Sequence, residues 1–171
     1  MNRPNGTGEI PEPVRRLCDE VAGLRDPLQL ARAIYAGLEP LVHLTVLAVF
    51  IFDPTVYKLR RNAIEKGREV AVREIEVTDL ESYSARSART RAEIHVEAEE
   101  GARAGARIPG TETVRSLWFG PMLQAGELMG VLSVQSSQLG VYGDAEKSIF
   151  RILAECTGRA LAEARRAARP R

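Results

Sequence analysis

Residues 116–136 read Ser-Leu-Trp-Phe-Gly-Pro-Met-Leu-Gln-Ala-Gly-Glu-Leu-Met-Gly-Val-Leu-Ser-Val-Gln-Ser, and their reading decides the fold. Two largely apolar runs, 113–123 and 128–136, flank a polar break at Gln124-Ala-Gly-Glu127, which is the pattern of two strands joined by a tight turn. Gly126 supplies the positive φ that such a turn wants, and Gly130 clears one strand face for a close neighbour.

Working outward, Leu44 to Phe52 is apolar on both alternating faces and rich in β-branched and aromatic residues, so it predicts a central strand covered on both sides. Asp53-Pro54 closes it as a turn. Val56 to Ile64 and Glu69 to Val77 flank Lys66-Gly67 and read as a second hairpin, whose imperfect alternation predicts more exposed strands. Ala92 to Glu99 is a short strand, followed by a Gly/Ala/Arg loop at 100–110.

Helices bracket these strands. Val14, Leu17, Val21 and Leu24 recur at three- and four-residue steps, with Cys18 on the same stripe. Asp26-Pro27 is a cap followed by a first-turn proline, and Leu28, Ala31, Ile34, Tyr35 and Leu38 form the next apolar face. Asp79 to Arg91 reads as a solvated helix capped by Thr78 or Asp79. Asp144 to Ala168 is a long helix with acids early and arginines late, as the helix dipole favours. The order gives an α+β class, with an antiparallel sheet of about six strands and the terminal helices on one face. The expected division is a flexible lead at 1–11, one domain at 12–168 and a tail at 169–171.

Composition narrows the function. The 171 residues carry 24 Lys plus Arg against 23 Asp plus Glu, a net +1, so no global field gathers nucleic acid or anionic lipid. Cys18, Cys156, His43 and His95 are the whole thiol and imidazole inventory, too few and too scattered for a zinc site built from local motifs. Residues 1–13 hold no apolar run, so no signal peptide is expected, and the longest apolar stretch falls short of the roughly 20 residues a membrane helix needs. A reducing cytoplasm is the expected location.

Ser116-Leu-Trp-Phe-Gly-Pro121, Gly126, Gly130-Val-Leu132, Tyr142 and Glu146 together resemble the GAF domain family, the small-molecule-sensing modules of bacterial signalling proteins and phosphodiesterases. The family more often has Phe and Asp where this chain has Tyr142 and Glu146. More loosely, the resemblance spans Pro13 to Ala168. It implies a sheet with the terminal helices on one face and a short helix and loops forming a pocket on the other.

Functional branches of the family can be weighed residue by residue. Cyclic-nucleotide-binding members carry an Asn-Lys pair, whereas Asn62 here lies between Arg61 and Ala63 and is the only Asn after position 5. Free methionine sulfoxide reductases of this fold need loop cysteines near the pocket. Cys18 and Cys156 instead fall on predicted helices, read as small buried hydrophobes; neither a thiol enzyme nor a bilin attachment is expected. A haem would have His95 for an axial ligand, though a His between Ile94 and Val96 also reads as a surface residue. His43 reads as structural.

The pocket candidates are Tyr83, Arg86, His95, Trp118 and Phe119, a set able to stack on and pair with a planar or anionic metabolite. The alternative places Trp118 or Phe119 in the core and Arg86 in solvent. Glu99-Glu100 and Asp79/Glu81 read as solvated surface.

On the last helix, Ile149, Leu153, Cys156 and Ala160 make one apolar stripe, and Phe150, Ala154, Thr157, Leu161 and Ala164 make a second beside it. Such width suits either a homodimer through the first and last helices, as the resemblance implies, or burial between the sheet and the leading helices. The expected function is a non-catalytic sensory domain that binds an unidentified small ligand or relays a signal to an output domain or partner protein. A redox enzyme on the same fold and a ligand-free dimerisation module are the alternatives.

Overall fold

The computed structural model describes residues 8–98 and 113–170. Helices α1 (Glu12–Ala22) and α2 (Pro27–Leu38) open the chain, and the Asp26 carboxylate caps α2 by accepting from the backbone N–H groups of Leu28 and Gln29 at 2.9 and 3.2 Å. Strands β1 (Val46–Asp53), β2 (Lys58–Glu65) and β3 (Arg68–Glu76) follow, then α3 (Tyr83–Thr90), β4 (Ile94–Glu97), β5 (Ser116–Gln124), β6 (Glu127–Ser136) and α4 (Asp144–Ala168).

All six strands pair antiparallel in the order β3-β2-β1-β6-β5-β4, so β1 and β6 are central and each carries a hairpin partner outward. The β5–β6 turn has both Ala125 (φ 49°) and Gly126 (φ 78°) in the left-handed region, the pattern that matches the twist of paired strands. A Cβ at Gly130 would stand 1.8 Å from the Phe50 carbonyl oxygen, so the β1–β6 approach tolerates no side chain there.

The period of two along each strand separates two cores. Leu47 and Val49 of β1, Leu132 and Val134 of β6, and Trp118 and Met122 of β5 face α2 and α4. Ala48 and Phe50, Val131, and Leu117 and Phe119 face α3. Over the first face, α2 covers β1 and β2, α4 covers β5 and β6, and α1 lies outermost, packed on α2 and α4. Tyr142 anchors the start of α4: its hydroxyl donates to the His43 carbonyl at 2.9 Å, and its ring meets Phe150 edge-on at 5.0 Å. Glu146 accepts from the Gly143 N–H at 2.8 Å, which is why an acid belongs there.

Two sequence expectations need adjustment, and the width of the last helix finds its use. β3 is exposed as expected, but β2 is not, because it is flanked on both sides; Leu59, Arg61, Asn62, Ala63 and Ile64 are buried. The helix expected over 79–91 is shorter and is capped by Ser82, whose hydroxyl accepts from the Ala85 N–H at 3.2 Å. One of its faces is buried rather than solvated, since Ser84, Ala85, Ser87 and Ala88 are small enough to let α3 settle on the sheet. Finally, both stripes of α4 are used within the chain: Phe150, Leu153, Ala154, Thr157, Ala160 and Leu161 are buried between the sheet and α1, while Ile149 and Cys156 are half-buried. That packing matches the second of the two readings the width allowed, burial between the sheet and the leading helices. The loop expected at 100–110 and the Glu99-Glu100 pair lie outside the described residues.

The packing at Gly130 is testable. Gly130→Ala is expected to lower unfolding stability by at least about 2 kcal/mol, because the neighbour it meets is backbone. Gly8→Ala, with open space around its Cβ position, is expected to be neutral in the same urea titration.

Candidate functional site

Directly paired residues of antiparallel strands share a face, so the register lays out the α3 side of the sheet as rows. One row runs Arg73, Arg61, Phe50, Val131, Pro121 across β3, β2, β1, β6 and β5. The next runs Ala63, Ala48, Ser133, Phe119, Ile94, and a third runs Glu65, Val46, Gln135, Leu117, Val96. The middle row is small at its centre, where Ala63, Ala48 and Ser133 make a trough in the relief of the sheet that is buried beneath the side chains packed on this face. Phe50 and Phe119 rise beside it, and Arg61, Gln135 and Glu65 supply polar groups. The Gln135 amide donates to the Ser133 hydroxyl at 2.7 Å.

Arg61 is the anomaly of this face. It is 4% exposed, and its Nη1 has no hydrogen-bond partner. Burial pulls its guanidinium below the ordinary range, Glu65 works the other way, and Arg73 directly across β3 adds to the depression. A buried, incompletely paired guanidinium is costly, and its fork of N–H donors matches a carboxylate or phosphate. The clue was present in the sequence: Leu59, Arg61 and Ala63 share one face of β2, so the charge sits between two apolar residues. Reading β2 as an exposed strand hid it.

The five expected pocket residues divide between the faces. Tyr83 and Phe119 do meet, with ring centroids 5.7 Å apart on the α3 side. Arg86 projects from α3 but is exposed, as the alternative reading had it; Arg89 is the arginine tied down there, donating to the carbonyls of Val77 and Asp79. Trp118 and His95 are cross-strand partners on the opposite face. Consecutive residues of a strand must point apart, so Trp118 cannot join Phe119 in one pocket. Instead its ring lies over Gly120 and packs 5.4 Å from Phe150.

His95 belongs to a polar network on that face. Its Nε2 is 2.8 Å from Glu97, whose other oxygen accepts from the Ser116 hydroxyl at 2.7 Å and the Gly140 N–H at 3.1 Å. Nearby, Arg151 of α4 clasps Glu93 with two hydrogen bonds of 2.6 and 2.9 Å. These two residues, with Trp118, Pro121, Leu123 and Glu155, line a groove of about 300 Å³ between β5 and α4. Its charged pair, Arg151 and Glu93, is satisfied internally, while the Trp118 Nε1 in its lining is buried without a hydrogen-bond partner. His43 is structural: its Nδ1 pairs with the Ser136 hydroxyl. Among the described residues, no group of three or more His, Cys, Asp or Glu could hold a metal, and no helix is long and apolar enough to cross a membrane.

A helical layer on one side of a 3-2-1-6-5-4 antiparallel sheet, with a short helix and a small-floored trough on the other, has clear counterparts. The GAF domain of an Acinetobacter phosphoenolpyruvate-protein phosphotransferase superposes with a TM-score of 0.77 at 17% identity, covering 93% of this chain and 96% of that one. The fold is that of a GAF domain. The same fold carries the Neisseria meningitidis free methionine-R-sulfoxide reductase, solved with its substrate (TM-score 0.73, 16% identity, 92% and 90% covered). It also carries residues 122 to 287 of a methyl-accepting chemotaxis protein (TM-score 0.66, 12% identity, 90% and 99% covered). No protein-family model matches the sequence, and no curated protein matches it.

The carboxylates on the helical face of this GAF fold give a pH prediction. Burial works to raise both Glu93 and Glu97. For Glu93 it is outweighed by Arg151 and the nearby Trp118 indole N–H, and for Glu97 by Ser116, Gly140 and His95, so both are held below the usual range. A depressed folded value means stability that is present above the unfolded value of about 4.3 and lost as pH falls through the folded one. Urea midpoints should therefore fall between pH 5 and 3. Glu93→Gln and Glu97→Gln should each start about 1 kcal/mol less stable and show a shallower loss over that window.

Proposed function

We propose that this chain is a sensory GAF module without catalysis of its own, and that it takes a small anionic metabolite, a carboxylate or phosphate ester, on the α3 face. The observation that carries this is the buried Arg61 guanidinium with its unpartnered Nη1, beside a trough of Ala48, Ala63 and Ser133. An anion there would pair the charge, and the short side chains of Ala48, Ala63 and Ser133, buried with Phe50 and Phe119, are where this face would have to open to admit its body. Sensor neighbours such as the chemotaxis-protein domain support the reading.

A sulfoxide-reducing role, suggested by the reductases with the same fold, asks for thiols beside the ligand. Both cysteines of this chain sit instead on α1 and α4, across the sheet from the trough. Signal relay fits the architecture: the strands that carry Arg61, Ala48 and Ser133 present their alternate residues, among them Ile64, Val49 and Leu132, to the helical layer. A shift in the trough is one residue removed from α2 and α4.

Arg61→Met separates binding from folding. Replacing a buried, incompletely paired charge by an apolar side chain of similar length is expected to leave stability unchanged or raise it by about 1–4 kcal/mol. The same change is expected to weaken binding at least tenfold for whichever of a panel of small carboxylates and phosphates raises the wild-type melting temperature. Native mass spectrometry checks the stoichiometry. Unchanged affinity in Arg61→Met, or a panel in which only uncharged compounds bind, would remove the proposal.

A further inference from the structure

Cys18 and Cys156 stand far apart in the sequence, and each alone reads as a small apolar residue. Helix packing brings them together. α1 rests on α4, and the two thiols come within side-chain hydrogen-bonding reach of each other at that seam. Both are half-buried, so they border the core without being sealed in it. The Cys156 thiol is also 3.4 Å from the Leu153 carbonyl, to which it can donate. Asp19, Glu155 and Arg159 are the charges around the pair.

The two sulfurs are not equivalent. Hydrogen bonding from Cys156 is the largest influence on Cys18 and pulls its thiol down, against burial and the Asp19 and Glu155 carboxylates. Cys156 moves the opposite way, raised first by Cys18 and then by burial. Two thiols within reach of each other at one seam can divide the roles of attacking thiolate and resolving thiol between them.

We propose that Cys18 and Cys156 form a redox pair that closes a reversible disulfide between α1 and α4 when a hydroperoxide reaches the helical layer. The Cys18 thiolate attacks the peroxide: an S–O bond forms, the O–O bond breaks, and the departing alkoxide or hydroxide leaves protonated. The Cys156 sulfur then attacks the sulfenic sulfur of Cys18. An S–S bond forms, the S–O bond breaks, and the hydroxyl leaves as water with the Cys156 proton. Two thiols lose two electrons in all, and the peroxide gains them. A dithiol reductant reverses the step by exchange. The bond would staple the first helix to the last, on the side of the sheet away from the proposed ligand trough, so it is an input separate from ligand binding.

The full chain with a small excess of hydrogen peroxide tests this. Intact mass is expected to fall by two hydrogen atoms, both thiols should become unreactive to maleimide together, and a non-reducing digest should yield the peptide linking Cys18 to Cys156. Closing so long a loop should raise the melting temperature by about 10 °C, and dithiothreitol should restore the starting value. In Cys156→Ser the Cys18 sulfenic acid should persist and be trapped by dimedone, whereas Cys18→Ser should react at least tenfold more slowly. The wild-type mass needs no variant to fold. Gain of one or more oxygen atoms without loss of two hydrogens, covalent dimers, or two unmodified thiols under peroxide that oxidises glutathione would each overturn the proposal.

Discussion

The pairing of β1 with β6 is the contact on which the remaining structure depends. β1 belongs to the first half of the chain and β6 to the second, and each brings its own hairpin, so this seam alone joins β2 and β3 to β4 and β5. Local turns can form the hairpins early, but the seam must close a long loop and is correspondingly exacting. It is also where the Phe50 carbonyl lies against Gly130, leaving no space for a Cβ. Both faces of the molecule inherit their registers from it, including the rows that set Arg61 beside Phe50 and Ala63 beside Ala48 and Ser133.

Strand alternation then distributes chemistry between the faces with little freedom. Trp118 and Phe119 are neighbours in sequence, yet one is stacked under α4 and the other beside Tyr83. The helical face pairs its charged groups with one another through the Glu97 network and the Arg151–Glu93 clasp, while the buried Trp118 Nε1 and Thr157 Oγ1 there have no hydrogen-bond partner. On the α3 face the atom without a partner belongs to a charge, the Arg61 guanidinium. A buried charge with an open donor, rather than any motif, is what suits the α3 face to an outside anion.

Much of the architecture was legible in the sequence because it is written in local chemistry. The Asp26 cap, the Ala125-Gly126 turn and the acid-to-base gradient of 144–168 each fix an element where it forms. The GAF resemblance rested on residues whose packing the structure supplies: Gly130 at the strand seam and Tyr142 under α4. The site was read less well because it is written in pairings between distant segments. Listing aromatic and charged residues within a stretch ignores which face each one takes, and so Trp118 and His95 were grouped with Phe119. Arg61 was passed over because one charged residue among Leu59, Ala63 and Ile64 lowers the apparent burial of a whole strand. The meeting of Cys18 and Cys156 follows from helix packing, to which neither local sequence contributes a signal.

The position of α1 outside the other two helices has a further consequence. It is held by Val14, Leu17 and Val21 against α2 and α4, and no ladder hydrogen bond of the sheet involves it. Its attachment is therefore a matter of side-chain packing alone, and the apolar strip it covers on α2 and α4 is closed by three residues, Val14, Leu17 and Val21, rather than by any hydrogen-bonded ladder.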